Sequence, residues 1–408
     1  MNSCIHCDSQ SLLLCLDLGH APPSNAYIAK ADVDKPELTF PLRVYVCEHC
    51  WLMQVVHSPG ASELFTEQYA YFSSTSVSWL EHAKRYSDYI IEKLELGASS
   101  FVVEIASNDG YLLTNFKEAG IPCLGIEPTL STADAARKKG IPVLAEFFGA
   151  AVAENIAVEY GRADLIVGNN VFAHVPDIND FTAGLKALLD DSGTLTLEFP
   201  HAKNLVVNCL FDTVYHEHYS YLSLHTVRKI FEKSGLKVFA VEILETHGGS
   251  IRVFGCHKHD QREVESSVLD VIAAEESAGM TSIDTYLTLQ YRAENMKNRS
   301  LEFLISERKK GKTIVAYGAA AKGNTLLNFS GIRRDLISEV FDAAEAKQGK
   351  YLPGSHIPIR RAEDIFEARP DFVIILPWNI ADEVVESLDD MTKSGTRFVV
   401  FMPQLKIL

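Results

Sequence analysis

The sequence predicts an α/β chain of three units, a small cysteine-bearing N-terminal unit followed by two Rossmann-like units, and three observations carry that reading. Apolar strand, small-residue turn and helix follow one another from Phe101 and again from Thr313, the pattern of doubly wound α/β sheets. Two later strand patterns, at 237–244 and 250–257, are joined only by Glu245 to Gly249, a link too short for a crossover, so they must be antiparallel. Two Cys-x-x-Cys pairs, Cys4 with Cys7 and Cys47 with Cys50, stand ahead of both patterns. A chain of 408 residues is long for one core, since a domain takes roughly 150. The expected units are residues 1–70, 71–300 and 301–408.

The composition is that of a globular protein able to bury sizeable cores, 47% hydrophobic and 23% charged. A formal net charge of −16 argues against a surface that tracks phosphates, which sets aside nucleic acid and anionic membranes as partners. A local basic pocket for one small anion is still allowed. The opening run MNSCIHCDSQ lacks a basic stretch leading into an apolar core, and no apolar run is long enough to span a bilayer, so the expected location is the cytoplasm.

Each element follows from local chemistry. Paired Cys-x-x-Cys turns place four thiolates at tetrahedral corners, the donor set that zinc selects, so Cys4, Cys7, Cys47 and Cys50 are the expected ligands of a structural Zn2+. His6, His49 and Cys15 lie close enough to substitute, and a redox disulfide is the alternative. The intervening segment has to fold back with strands of its own, one of them at Phe40–Cys47. Residues 69–78 are too polar for a core strand and too aromatic for a plain linker; they are expected either to line a pocket between units, through Tyr71 and Ser73, or to pack on a neighbour. A helix follows to about Leu94.

In the second unit the strand from Phe101, the turn Ser107 to Gly110, a helix from Tyr111 and a strand ending at Glu127 form a nucleotide-type layout. Small residues let the backbone approach a cofactor, and Glu127 stands where a carboxylate accepts from ribose hydroxyls. The sheet continues through 164–170 and 193–199, with a helix near 224–234 before the antiparallel pair. A parallel sheet closed in this way is the layout of a class I methyltransferase. Between those strands stands Tyr215-His216-Glu217-His218-Tyr219-Ser220-Tyr221, two histidines, a carboxylate and three phenols where a core would use aliphatics. It reads as a proton-transfer site. As a strand it would place Tyr215 and Glu217 on one side and His216 and His218 on the other; as a helical turn, Tyr215 and His218 share a face.

A charged helical connection, 266–312, leads to the third unit. Gly318 and Gly323 match the outer positions of G-x-G-x-x-G, but Ala320 fills the middle one. Lys322, where a helix begins, favours an anion site over a full dinucleotide site.

These motifs, taken in order as the two cysteine pairs, VVEIASNDGYLL, GIEP, NNVFAHVPD, YHEHYSY, HGGSIRVF and AYGAAAKGNTLLN, resemble the sugar C-methyltransferases of deoxysugar biosynthesis over essentially the whole chain. The resemblance implies a zinc-binding N-terminal domain, a central S-adenosylmethionine domain and a C-terminal Rossmann-like domain. It also implies methylation of carbon 3 of a nucleotide-linked 4-keto-deoxysugar in its dTDP, GDP or CDP form. By motif position, His218 is the general base, with Tyr215 and Glu217 in support and His174 supplied by NNVFAHV. The candidate cofactor residues are Glu104, Ala106, Asn108, Asp109, Gly110, Glu127, Asn169 and Asn170; Ala106 stands where the family usually has glycine. The candidate substrate residues are Tyr71, Ser73, His247, Lys322 and Asn324.

The chemistry needs such groups. A carbon beside a ketone becomes nucleophilic only after losing a proton, and neutral histidine, with a pKa of roughly 6.5, accepts one near physiological pH. A phenol from Tyr215, Tyr219 or Tyr221 could donate to the enolate oxygen. Other readings stay open: O-methylation by the same base, an NAD-dependent nucleotide-sugar oxidoreductase using the C-terminal turn, and a hydrolase with His216 and His218 as metal ligands.

Overall fold

In the computed structural model, which describes residues 3–56, 59, 60, 64, 72–75 and 77–408, three sheets carry the chain. The first begins with β1 (Leu12–Ala21), β2 (Phe40–Cys47) and β3 (Met53–Val55), paired antiparallel in that order. Alternation along β2 explains its setting, since Leu42, Val44 and Val46 are buried while the residues between them are only partly covered.

The second sheet holds β4 (Val102–Ile105), β5 (Cys123–Ile126), β6 (Val143–Leu144), β7 (Ala163–Asn169) and β8 (Leu189–Pro200), all parallel. Next in the chain is a two-residue strand, β9 (Ser220–Tyr221), which leaves this sheet and pairs with β3 as the fourth strand of the first. Then β10 (Leu236–Leu244) and β11 (Ser250–His257) close the second sheet, β11 running antiparallel to both β10 and β8. The order β10-β11-β8-β7-β4-β5-β6 reverses direction between β4 and β7, which opens a crevice at their carboxyl ends. This is the expected parallel sheet closed by an antiparallel hairpin. β4 is buried along its whole length, as a central strand covered by helices on both faces must be.

The third sheet contains β12 (Ile314–Tyr317), β13 (Val340–Asp342), β14 (Ile359–Arg361), β15 (Phe372–Ile375), β16 (Arg397–Val400) and β17 (Lys406–Ile407), in the order β14-β13-β12-β15-β16-β17. It is parallel except for the terminal β17. β13 is short, three buried residues ending at Asp342.

The hydrophobic cores do not respect the sheets. One cluster joins Leu16, Val44 and Val46 of the first sheet to Val214 and Tyr221 and to Ile314, Leu327 and Phe372 of the third unit. Another joins Cys4, Cys47 and Leu52 to Val103, Phe172, Phe199 and Phe231 of the second. The N-terminal unit is too small to build a sizeable core alone and buries its apolar faces against both neighbours.

The turn after β4 has a left-handed backbone at Ala106 (φ 56), Asn108 (φ 50) and Gly110 (φ 75). Asparagine and glycine tolerate this region, whereas alanine meets its own Cβ there. Ala106→Gly is therefore expected to raise the free energy of unfolding by about 0.5–1 kcal/mol, read from denaturant titrations of the two proteins. An unchanged or lowered midpoint would show that the turn carries no such strain.

Candidate active site

The run from Tyr215 folds as a turn followed by a strand. The His218 backbone N–H donates to the Tyr215 carbonyl at 3.0 Å, which brings the two side chains together, and β9 begins two residues later. The His218 ring is buried, with Nδ1 3.1 Å from the Thr213 carbonyl and Nε2 2.7 Å from the Tyr215 hydroxyl. A carbonyl only accepts, so Nδ1 carries the proton and Nε2 offers its lone pair to the Tyr215 O–H. Burial, reinforced by the neighbouring His174, holds His218 well below the usual histidine value. The site therefore contains a neutral base.

His174 lies in the short turn after β7, its ring centroid 4.6 Å from that of His218. Burial pushes it down to about 4, opposed by a hydrogen bond to the Glu217 backbone. The Glu217 carboxylate looks elsewhere: both its oxygens accept from Asn25 Nδ2, at 2.9 and 2.7 Å, and burial pushes the carboxyl up to about 7. His216 turns away from His218, with Nε2 3.3 Å from the Phe40 carbonyl, so the two histidines do not form a paired ligand set. The Tyr221 ring meets His218 edge-on, whereas the Tyr219 hydroxyl donates to the Pro59 carbonyl at 2.8 Å.

The candidate cofactor residues gather in the crevice where strand order reverses. Glu127 accepts from the Asn108 N–H on one oxygen and the Thr129 N–H on the other, both at 2.9 Å, and fastens the turn to β5. Burial raises both Glu104 and Glu127, Glu104 the more strongly. Asp109 accepts from the Ser74 hydroxyl and from Lys139 Nζ at 3.3 Å, and Asn108 Oδ1 accepts from the Ser73 N–H at 2.9 Å. Ser73 thus lies against this turn; Tyr71 lies outside the described residues. Gly110 is required sterically, because a Cβ there would come within 3.0 Å of Ala136 Cβ. Glu104 Oε2 and both amide atoms of Asn169 are buried without a hydrogen-bond partner among the described residues. Polar atoms of this kind at the ends of β4 and β7 fit the ribose and amino-acid groups of S-adenosylmethionine. Asn170, left-handed at φ 54, places its Nδ2 3.1 Å from His247 Nε2, and burial takes His247 down to about 4.

The third unit closes the site. Lys322 is partly buried, donates to Asn379 Oδ1 at 2.6 Å and lies 4.9 Å from the centre of the Trp378 ring. Burial lowers it while Asp212 opposes the shift; Asp212, itself pushed up to about 6 by burial, accepts from Trp378 Nε1 at 2.7 Å. Asn324 is a tether, donating to the Ser24 carbonyl at 2.6 Å beside the Asn25 that holds Glu217. Thr325 donates to the Val214 carbonyl at 2.7 Å, one residue before Tyr215. Asp342, in the place where a dinucleotide site offers a carboxylate to ribose, is engaged by its own backbone, accepting from the Ala319 N–H at 2.6 Å and the Ala344 N–H at 2.7 Å.

Sequence reasoning missed Asn25, Asp212 and the buried group of Glu198 with His82 and Arg252. For Glu198 there was a signal, a carboxylate inside the apolar strand TLTLEF. For Asn25 and Asp212 there was none.

The four predicted cysteines converge, all their sulfurs within 4.8 Å of one another, with Cys4 Sγ 3.5 Å from Cys50 Sγ and Cys7 Sγ 3.6 Å from Cys47 Sγ. Each pair is followed by a left-handed residue, Asp8 at φ 59 and Trp51 at φ 66, that turns the chain around the site. Tetrahedral zinc fits this set. His6 instead bonds Asn179 Oδ1, and Cys15 Sγ donates to the Val44 carbonyl. It is the one such cluster of possible metal ligands among the described residues.

Comparison with known proteins agrees with this layout. A zinc binding domain model matches residues 4–65, a methyltransferase domain model residues 79–241, and a C-methyltransferase C-terminal domain model residues 245–403. The C-methyltransferase NovU of Streptomyces niveus is 34% identical over 408 residues, spanning 100% of this chain and 97% of that protein. Among solved structures, magnesium protoporphyrin IX methyltransferase of Synechocystis PCC 6803 with bound SAH is 16% identical over 44% of this chain and 83% of its own, with a TM-score of 0.35. The PH0226 protein of Pyrococcus horikoshii OT3 is 12% identical over 46% of this chain and 95% of its own, with a TM-score of 0.38. Structural scores of that size do not bear on the assignment. No helix among the described residues is long and apolar enough to cross a membrane.

Elemental analysis of the purified protein is expected to find one zinc per chain, and Cys47→Ser with Cys50→Ser to find close to none, with a lowered thermal midpoint because metal binding is coupled to folding. Full zinc retention in that double variant would place the ion elsewhere.

Proposed function

Because the chain belongs to the S-adenosylmethionine-dependent C-methyltransferase family, with a zinc-binding N-terminal domain, we propose that it methylates carbon 3 of a nucleotide-linked 4-keto-deoxysugar through an enolate, with His218 as the base. One observation carries this reading: a buried, neutral histidine with its Nε2 lone pair held 2.7 Å from a phenol. S-adenosylmethionine, when bound, supplies an electrophilic methyl group. His218 Nε2 takes the proton from the carbon beside the ketone, and its Nδ1–H keeps its bond to the Thr213 carbonyl as the ring becomes cationic. The Tyr215 hydroxyl, released from Nε2, donates to the enolate oxygen, in a site dry enough for that bond to count. His174, depressed to about 4, stays neutral and adds no opposing charge.

Glu217 and Asn25 hold the N-terminal segment over the sugar. His247 and Ser73 border it from the central unit, Asn324 keeps the third unit in place, and Lys322 faces the diphosphate of a dTDP, GDP or CDP carrier. Glu104, Ala106, Asn108, Asp109, Gly110, Glu127, Asn169 and Asn170 form the cofactor crevice, most of them through backbone and turn geometry. The units proposed for this work are residues 1–70, 71–300 and 301–408, and the reaction belongs to the cytoplasm.

The test is mass spectrometry of nucleotide-linked 4-keto-deoxysugars incubated with protein and cofactor in heavy water. Wild type is expected to add one methyl group and to wash deuterium into unconsumed sugar beside the ketone. His218→Ala should lower both by roughly 10²–10⁴-fold while cofactor affinity, read by calorimetry, stays within about twofold. Methyl gain without wash-in would make O-methylation the rival reading, and a new methyl group located on oxygen would refute C-methylation.

The pH dependence follows from the direction of the shifts. A base whose pKa is depressed stays neutral, and active, to lower pH than free histidine; Glu217, raised to about 7, would superimpose its own titration. In Glu217→Gln, wash-in should stay level as pH falls through roughly 6.5 and decline only below it. A midpoint at or above that value in this variant would contradict the buried neutral base.

A further inference from the structure

A small cavity beside His218, of about 30 Å³, is also lined by His201, Ser220 and His247. Neither His201 nor Ser220 has a part in the chemistry above. His201 follows the end of β8 and stitches three walls together: its N–H donates to the Gly249 carbonyl at 3.1 Å, and the next N–H, of Ala202, donates to the Leu222 carbonyl at 2.9 Å. Its ring is 5% exposed, with Nε2 2.6 Å from Glu275 Oε1. Glu275 already accepts from the backbone N–H groups of Leu224 at 2.6 Å and His225 at 2.9 Å, so it is the acceptor toward His201 as well and Nε2 carries the proton. Nδ1 is left with a lone pair and no hydrogen bond to any described residue. Ser220, 0% exposed and in β9 two residues after His218, has its Oγ buried with no partner among the described residues.

An acceptor nitrogen and an unpaired hydroxyl on the wall of one cavity complement a group that both donates and accepts. We propose that His201 and Ser220 form a polar subsite that binds a ring hydroxyl of the sugar next to the methylated carbon, and so set which sugars are accepted. This deepens the sugar reading and rests on it. A hydroxyl bound there would donate to His201 Nδ1 and accept from Ser220 Oγ–H; a methylene in its place would leave both groups buried and unpaired. Glu275 acts at one remove, as a positioning residue that fixes which nitrogen of His201 bears the proton.

The experiment compares dTDP-4-keto-6-deoxyglucose with its 2-deoxy counterpart for wild type, Ser220→Ala and His201→Phe, reading kcat and KM separately. Wild type is expected to favour the hydroxylated sugar by about tenfold or more in kcat/KM. Each variant should bring that ratio toward one, chiefly by raising KM for the hydroxylated sugar. Ser220→Ala decides the matter if His201→Phe does not fold, since β9 pairs through backbone that the substitution leaves intact. A wild type that methylates both sugars without preference, or variants that keep the wild-type ratio, would overturn the subsite and leave the proposed reaction standing. A wild type that neither binds nor methylates either sugar would overturn the sugar reading and the subsite together.

Discussion

The pairing of β9 with β3 is the contact on which the rest of the site depends. Gln54 lies opposite Ser220 and Met53 opposite Tyr221, and the Val55 N–H reaches the Tyr219 carbonyl at 3.0 Å. His218 therefore stands two residues before a strand of a sheet whose other strands come from the cysteine-bearing unit. That unit is in turn fixed to the central one through its metal loops. Asn179 Nδ2 donates to the Ile5 and His6 carbonyls, Lys233 to the His6 carbonyl, Thr226 to the Cys50 carbonyl and Lys229 to the His49 carbonyl. Gln54 joins the two ends of this chain of contacts, its Oε1 accepting from the Ile5 N–H at 2.9 Å. The cysteine cluster is thus tied, through Gln54 and β3, to the loop that carries His218.

Burial does most of the electrostatic tuning. His174, His218 and His247 are pushed down, while Glu104, Glu217 and Asp212 are pushed up, in each case chiefly by removal from water. The effect is a site poor in net charge, in which histidines stay neutral and carboxyls hold protons more readily than in solution. Lys322 is a partly buried ammonium at the margin of this group.

How much of this was legible in the sequence depended on the range of each interaction. The cysteine pairs were legible because zinc chemistry constrains residues three apart. The β10–β11 pair was legible because five linking residues leave no room for a crossover, and Tyr215 with His218 because one turn brings i and i+3 together. β9 was not legible, since two residues make no pattern and their partner strand lies in another unit. Glu217 was found as a site residue, but its partner Asn25, 192 residues away, was not, and it meets His174 through its backbone. Ala106, marked as a departure from glycine, turned out to need the left-handed backbone that glycine supplies.

The excursion of β9 also orders events during synthesis. Domains generally fold as units from the N-terminus while the chain is still being made. Here the first sheet lacks its fourth strand until Tyr221 has been added, and one of its cores waits for the strands of the third unit. The N-terminal segment must therefore persist through most of translation with apolar surface uncovered, and metal capture by the early cysteines is the event available to hold it together in that interval.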